Sequence, residues 1–257
     1  MSVLLRMEFA KLWRLSSVRF GLLVLLVFPL LWAYAPGIFD VYGFFLVSAY
    51  QVPALGLLSS MQFLLPLLTA ITAAELLGVE IANGTLPTVL LRPVTRPNWL
   101  AAKLVAAAVY PFIMLTVFLL ASLLAGAQFG FGQFVGGTGL GEAGLLGSGV
   151  LGAGAAMGEL VRGYLLAAVA LVPIAMLAVF LTVAFMNAAG GALATLSALI
   201  VMQLFIVFPG LEPFLLTTQL QTYSAPAADL AWAIALIVLY SALFAAAAVV
   251  LFERKDF

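Results

Sequence analysis

Six apolar stretches organise the chain, at about 20–36, 57–77, 104–126, 164–186, 190–209 and 230–251. Each is long enough, or nearly so, to cross a hydrocarbon core of about 30 Å, which takes roughly 20 apolar helical residues. Within them the only charged residue is Glu75, at one end of the second. A carboxylate inside a span is a functional candidate by default, yet Glu75 is close enough to the span's end to reach the interface, and both readings stay open. Pro29, Pro66, Pro111 and Pro173 fall inside four spans. Each removes a backbone hydrogen bond, either bending its helix around a cavity or simply being tolerated in the bundle. The stretch 37–56 is also apolar, but Asp40, Pro53 and scattered glycines predict an interfacial loop.

Between and before the spans the pattern changes. Residues 1–19 predict an amphipathic helix in the membrane interface, with Leu5, Phe9, Leu12, Trp13 and Phe20 on one face and Arg6, Glu8, Lys11 and Arg14 on the other. A plain basic flank of the first span is the alternative. Charges running to Arg19, with no small-residue cleavage site after them, argue against a cleavable signal peptide. Residues 127–163 predict a Gly-rich external loop, since 126–163 holds 14 of the 23 glycines. Gly139, Gly141 and Gly144 match a lone G-x-G-x-x-G, which is no dinucleotide site without a preceding strand and an α/β unit. Asn187 with Gly190-Gly191 marks a tight turn between spans four and five. On the external side Glu159 and Arg162 are three apart, a pairing worth little if exposed.

Composition turns these stretches into a fold class. Of 257 residues 66% are hydrophobic and 8% charged, against about 25% charged in a soluble domain, so lipid is the natural solvent for most of the chain. The expectation is an all-α integral membrane protein, 1–257 forming a single transmembrane domain of six helices with an N-terminal interfacial helix. The chain has no Cys and no His, which excludes disulfides, thiolate sites, His-based zinc motifs and Ser-His or Cys-His nucleophile pairs. No G-x-x-x-x-G-K-[ST] occurs, so the chain is not expected to hydrolyse ATP itself.

The formal net charge of zero hides an asymmetry. Six spans put both termini on one side, together with Arg6, Lys11, Arg14, Arg19, Arg92, Arg96, Lys103, Arg254 and Lys255, and leave only Arg162 on the other. By the positive-inside rule, both termini and the 78–103 loop are cytoplasmic.

That loop is the most informative stretch: GVEIANGTLPTVLLRPVTRPNWLAAK. Asn83-Gly84 is a turn signal. Thr85 can cap a short helix with Pro87 in its first turn, on which Leu86, Val89 and Leu90 form an apolar ridge before Pro93 ends it. Thr95, followed by Pro97, restarts a helix running into span three. An apolar ridge on a projecting hairpin, flanked by charges, points to a docking site for another protein.

Here the sequence resembles the membrane subunit of ABC transporters of the ABC type-2 permease family. The resemblance rests on Glu80, Gly84-Thr85-Leu86, Leu90-Leu91, Pro93-Val94-Thr95-Arg96 and Lys103, and on the order of basic helix, six spans and basic tail. It implies that the 78–103 loop is a coupling helix inserted into a groove on a separate cytoplasmic ATPase. Leu86, Val89 and Leu90 would be the inserted ridge and Arg92 and Arg96 its flanking charges, with Glu80 at the base of span two, able to pair with a basic group on the partner or on the N-terminal helix. It also implies an external re-entrant helix within 210–229, around Pro213, Phe214, Leu215 and Leu216; an interfacial loop is the other reading.

The function so implied is the permease subunit of an ATP-driven exporter in a bacterial inner membrane, working as a homodimer or related heterodimer with two ATPase subunits. ATP and Mg would be bound by the partner, and no cofactor or metal by this chain. An ion-coupled secondary carrier would need ionisable groups near the midplane, and the spans contain none there. A membrane anchor without transport of its own is the remaining alternative.

Overall fold

The structure, a computed structural model, describes residues 2–34, 46–85, 95–135, 150–224 and 227–255. Within these residues the architecture is helical apart from one small ladder. Six helices are long and apolar enough to cross a bilayer. Helix α1 is Ser2–Leu12 and α2 is Ser16–Tyr34. They are followed by α3, Gln51–Ser60, and α4, Leu64–Ala82. The long helices α5, Arg96–Gly126, and α6, Ala153–Phe185, come next. Then come α7, Ala188–Leu204, the single turn α8, Leu216–Gln219, and α9, Ala227–Glu253. Strands β1, Phe134–Val135, and β2, Val150–Leu151, pair antiparallel and close the Gly-rich connection between α5 and α6.

Helix α6 is the axis of the bundle, packing against α4, α5, α7 and α9. Its 33 residues, at about 1.5 Å each, make roughly 50 Å, well beyond a bilayer core. It begins at Ala153, so the end of the expected 127–163 loop is helix. Gly154, Gly158 and Gly163 disfavour a helix individually, but the 3.6-residue period buries Ala156, Leu160 and Tyr164 against the bundle, and that packing prevails.

The second apolar stretch, expected as one span over 57–77, is a broken helix. Helices α3 and α4 run together antiparallel to α5: Gly126 lies against Ala49, Gly56 against Phe118, and the Leu76 carbonyl against Lys103. The break falls at Met61–Phe63, one turn before Pro66. Proline has no N–H to offer the carbonyl four residues back, that of Gln62, and its ring crowds that carbonyl, so the helix restarts after it. The last part of the expected 37–56 loop is therefore helix, the first part of α3. Pro53 fits because it sits in the first turn of α3, where its missing N–H costs nothing, and its carbonyl accepts from the Tyr164 hydroxyl at 2.9 Å. Pro29, Pro111 and Pro173 remain inside continuous helices.

Between α6 and α7 the chain reverses on Met186, in the left-handed region at φ 53°, and the Asn187 side chain caps α7 by accepting from Gly190 N at 3.1 Å. Glycine permits the contact that follows. A Cβ on Gly191 would lie 2.1 Å from Thr182 Oγ1 and 2.7 Å from its Cα, and one on Gly78 would lie 2.2 Å from Ala188 Cβ. Helices α4, α6 and α7 are thus joined by backbone-close contacts of the kind that drives association in lipid. Gly191→Ala should lower stability by about 1–3 kcal/mol through overpacking. Gly158→Ala, whose Cβ would meet nothing within 4 Å, should be neutral or gain up to about 1 kcal/mol. Thermal unfolding of both variants in one detergent checks the contrast, and equal midpoints would contradict the close α6–α7 contact.

Candidate functional site

Both ends of the chain lie at one end of the bundle, here called the basic end, and the charges gather there. At the head of α5 the buried stripe reads Trp99, Leu100, Lys103, Leu104, Ala106, Ala107, Tyr110. Lys103 occupies a core position and is 0% exposed. An unpaired ammonium there would be prohibitively costly, so its three protons must all be accepted. They are: Nζ donates to Glu8 Oε2 at 3.0 Å, to Glu80 Oε1 at 3.0 Å and to the Leu76 carbonyl at 2.6 Å. The ammonium also stands 4.7 Å from the centre of the Trp99 ring.

A second cation completes the cluster. Lys11 Nζ donates to Glu8 Oε1 at 3.0 Å and to Glu80 Oε1 at 2.5 Å. Glu8 thereby bridges the two lysines through its two oxygens, and two positive and two negative side chains balance. Burial pushes the Lys11 pKa down, but hydrogen bonds and charges from Glu80 and Glu8 outweigh it, and the net shift is upward. Glu80 Oε2 is buried without a hydrogen-bond partner among the described residues.

The cluster closes the base of the 78–103 loop. Helix α4 ends on Asn83 and Gly84, the latter at φ 63°, a left-handed stop that favours glycine. Thr85 turns back, its N–H and its hydroxyl both donating to the Glu80 carbonyl at 3.1 and 3.3 Å. On the other side Thr95 precedes α5 in extended conformation, and Arg96 Nη1 donates to the Lys255 carbonyl at 3.1 Å. Lys255 Nζ in turn donates to the Ala184 carbonyl at 2.7 Å, a cation at the C-terminus of α6. Trp99 stacks on Phe252 with ring centres 5.3 Å apart. The N-terminal helix, both flanks of the loop, the end of α6 and the chain's C-terminal turn therefore meet in one place.

The coupling residues expected from the sequence divide between this cluster and the loop. Glu80 is central; Gly84, Thr85 and Arg96 frame the loop's two ends. Leu86, Val89, Leu90, Arg92 and Pro93 lie outside the described residues. Glu8 and Lys103 belong to the cluster although neither was in the expected set; the available signal was a lysine standing in the buried stripe of α5, which demands counter-ions.

For α1 the expected faces need correction. Glu8, assigned to the water-facing side with Arg6, Lys11 and Arg14, is buried with Leu12 against α5, and Lys11 is half-buried beside it. Arg6, Arg14 and Trp13 are exposed, Phe9 is half-buried, and Phe20 belongs to α2. Ion pairing to Lys103 and Glu80, rather than the apolar face alone, sets how α1 is turned.

At the opposite end, the 210–229 segment folds back on the bundle as short helical turns. Leu216 and Leu220 are buried, while Pro213 and Phe214 are exposed and Leu215 is half-buried. The Tyr240 hydroxyl donates to the Phe214 carbonyl, and the Phe214 ring meets Trp232 edge-on at 5.8 Å, which ties the segment to α9. Glu75 lies half-exposed on α4, one turn above Glu80. Glu159 and Arg162 pair at 3.5 Å, both well exposed, a contact of little energetic weight.

Lys103→Met leaves two buried carboxylates sharing Lys11, and breaking a buried pair in this way costs about 3–5 kcal/mol. Lys11→Met should cost much less, because its side chain is 42% exposed. The Lys11 contribution is whole below 10.5, the value of the free side chain, and is lost as pH rises through the raised folded value. Unfolding midpoints of the native chain and Lys11→Met should therefore differ at neutral pH and converge in strong alkali. A gap that stays constant across that range would dismiss the Lys11 ion pairs.

Compared with known proteins, residues 4–200 match the family model described as ABC-2 family transporter protein. That match takes in α1, the whole charge cluster and both flanks of the loop, and it ends within α7. No curated protein matches the chain. The matched length, six apolar helices and the loop framed by paired charges agree: the chain belongs to the ABC-2 transporter family, as a multi-pass membrane permease subunit of an ABC transporter.

Proposed function

We propose that this chain is the membrane half of an ABC exporter, working as a dimer with a second copy or a related permease and carrying two cytoplasmic ATPase subunits. In this reading the basic end faces the cytoplasm of a bacterial cell and the span-rich body sits in the inner membrane. The nine-to-one distribution of lysine and arginine supports that orientation. ATP and Mg are bound by the ATPase partner. The 78–103 loop is the docking element, with Leu86, Val89 and Leu90 in the partner's groove and Arg92 and Arg96 beside it. The substrate is an amphipathic or lipid-like molecule carried outward.

The observation that carries this reading is the Glu80–Lys103 pair at the base of the loop, shared with Glu8 and Lys11. A loop that transmits force must not hinge where it meets the membrane. Here its two flanks are bonded to each other and to α1, so a push on the loop moves α1, α4 and α5 together. Close contacts of Gly78 with Ala188 and of Gly191 with Thr182 pass the movement to α6 and α7. Helices α2, α7 and α9 keep most of their side chains on the protomer's outside, which leaves area for lipid and for a second copy.

Co-purification with the cognate ATPase tests the docking role. Changing Leu86 and Leu90 together to Asp should abolish ATPase recovery while the permease keeps its native unfolding midpoint. Full recovery of the ATPase with that double variant would overturn the docking assignment.

A further inference from the structure

At the end of the bundle away from the charges, the break in the second span opens a cavity. Its volume is about 220 Å³, and its walls come from the α3–α4 break, from α7 and from the segment that folds back after α7. Gln62, Gln203 and Gln221 bring three carboxamides to it. None of the three side chains has a hydrogen-bond partner among the described residues, and all three residues are exposed on the protomer. Thr217 also lines it; the residue is 7% exposed, and its hydroxyl is buried without a partner. No charged side chain lines the cavity. A smaller apolar annex of about 50 Å³, walled by Pro66, Leu196, Leu199 and Ile200, adjoins it and shares Gln62, Gln203, Thr217 and Leu220.

Depth makes these amides unusual. Helices α3 and α4 run antiparallel to α5 with Leu68 and Tyr110 both beside Gly21 and Gly56 beside Phe118, which puts Gln62 near the level of Met114. That is about 17 Å along the axis from Lys103, by the helical rise of about 1.5 Å per residue, and so in the outer half of a core about 30 Å thick. Gln203, fifteen residues into α7 from the Ala188–Gly78 contact, comes to the same level. Groups that bind hydrogen so strongly are costly to leave unmade away from water, and the Pro66-induced break frees the Gln62 carbonyl as well.

We infer that this cavity is a binding site for an amphipathic molecule whose polar group is uncharged, an amide or a hydroxyl, with its apolar part in the annex. Carboxamides donate and accept at once, so they satisfy amides and hydroxyls fully. A fixed charge would lose hydration there without a counter-ion. The inference rests on the transport reading above and names the substrate class.

The test is photolabelling of the full chain in detergent, without nucleotide, by a dodecyl carboxamide carrying a diazirine. Saturable labelling should map to peptides containing 58–63 and 217–224. Unlabelled dodecyl carboxamide should compete at least tenfold better than dodecyl sulfate or dodecyltrimethylammonium. Gln62→Leu with Gln203→Leu should cut labelling at least fivefold, while Gln62→Asn with Gln203→Asn, which keeps both carboxamides, retains most of it. Equal competition by the charged analogues, or labelling unchanged in the leucine variant, would overturn the site. Binding is read without the ATPase, so ATPase recovery with a failed label sinks this inference alone, and the reverse result sinks the docking assignment alone.

Discussion

A fully buried ammonium sets the terms for the basic end of this protein. Lys103 stands where the packing of α5 calls for an apolar residue, and moving an ion from water to such a place costs several kcal/mol even after relaxation. The cost is offset only if every proton is accepted, and the acceptors come from two other helices: Glu8 of α1, and Glu80 and the Leu76 carbonyl of α4. None of those elements can move away alone without stranding a charge. Apolar residues of similar volume hold helices together at least as well as a buried ion pair does. The cluster therefore contributes geometry more than stability: it fixes the rotation of α1 about its axis and the separation of the loop's two flanks.

Glycine extends that fixed geometry through the bundle by a different means. In lipid there is no hydrophobic drive between helices, and association comes from close packing. Gly78 admits Ala188, Gly191 admits Thr182 and Gly126 admits the Ala49 backbone, each at a distance that no side chain would allow. The first two contacts join α4 to α7 and α6 to α7 near the basic end, so the rigid region there reaches beyond the charges. The third holds the end of α5 that lies away from the charges to the residues that lead into α3. Between these anchored ends, the break at 61–63 is the place where the second span has lost continuous backbone bonding.

Much of this was legible in the sequence, for identifiable reasons. Apolar runs of about 20 residues announce spans because the bilayer imposes their length, and the stop at Asn83-Gly84 is local turn chemistry. The broken second span was hidden because Pro66 reads equally as a tolerated membrane proline, and because Asp40 and Pro53 make the approach to α3 resemble a loop. The start of α6 was hidden by its glycines, whose intrinsic preference is overridden by contacts with residues distant in sequence. Glu8 was misplaced for the same reason: Lys103, the partner that draws it into the bundle, is 95 positions away, and no helical period of α1 refers to it. Gln62 and Gln203 attract no attention in a linear reading, since two isolated glutamines become a site only when the break and the fold-back segment bring them together.

The two ends of the bundle follow opposite rules for polar groups, and the contrast has a mechanical meaning. At the basic end the charged groups of the buried cluster are committed to one another, leaving little freedom to hinge. At the opposite end the carboxamides of Gln62, Gln203 and Gln221 are left uncommitted around the cavity. In the proposed assembly, a transporter powered by a separate protein needs this division. The end that receives force has to be stiff, because compliance there would dissipate it. The end that holds the cavity has to keep its bonding capacity in reserve, because groups already satisfied within the chain give no reason for a ligand to stop there. Among the described residues the Ser17 hydroxyl and one Glu80 oxygen are buried at the stiff end without a partner, and Glu80 lies at the base of the loop, where the permease meets its ATPase in the proposed assembly.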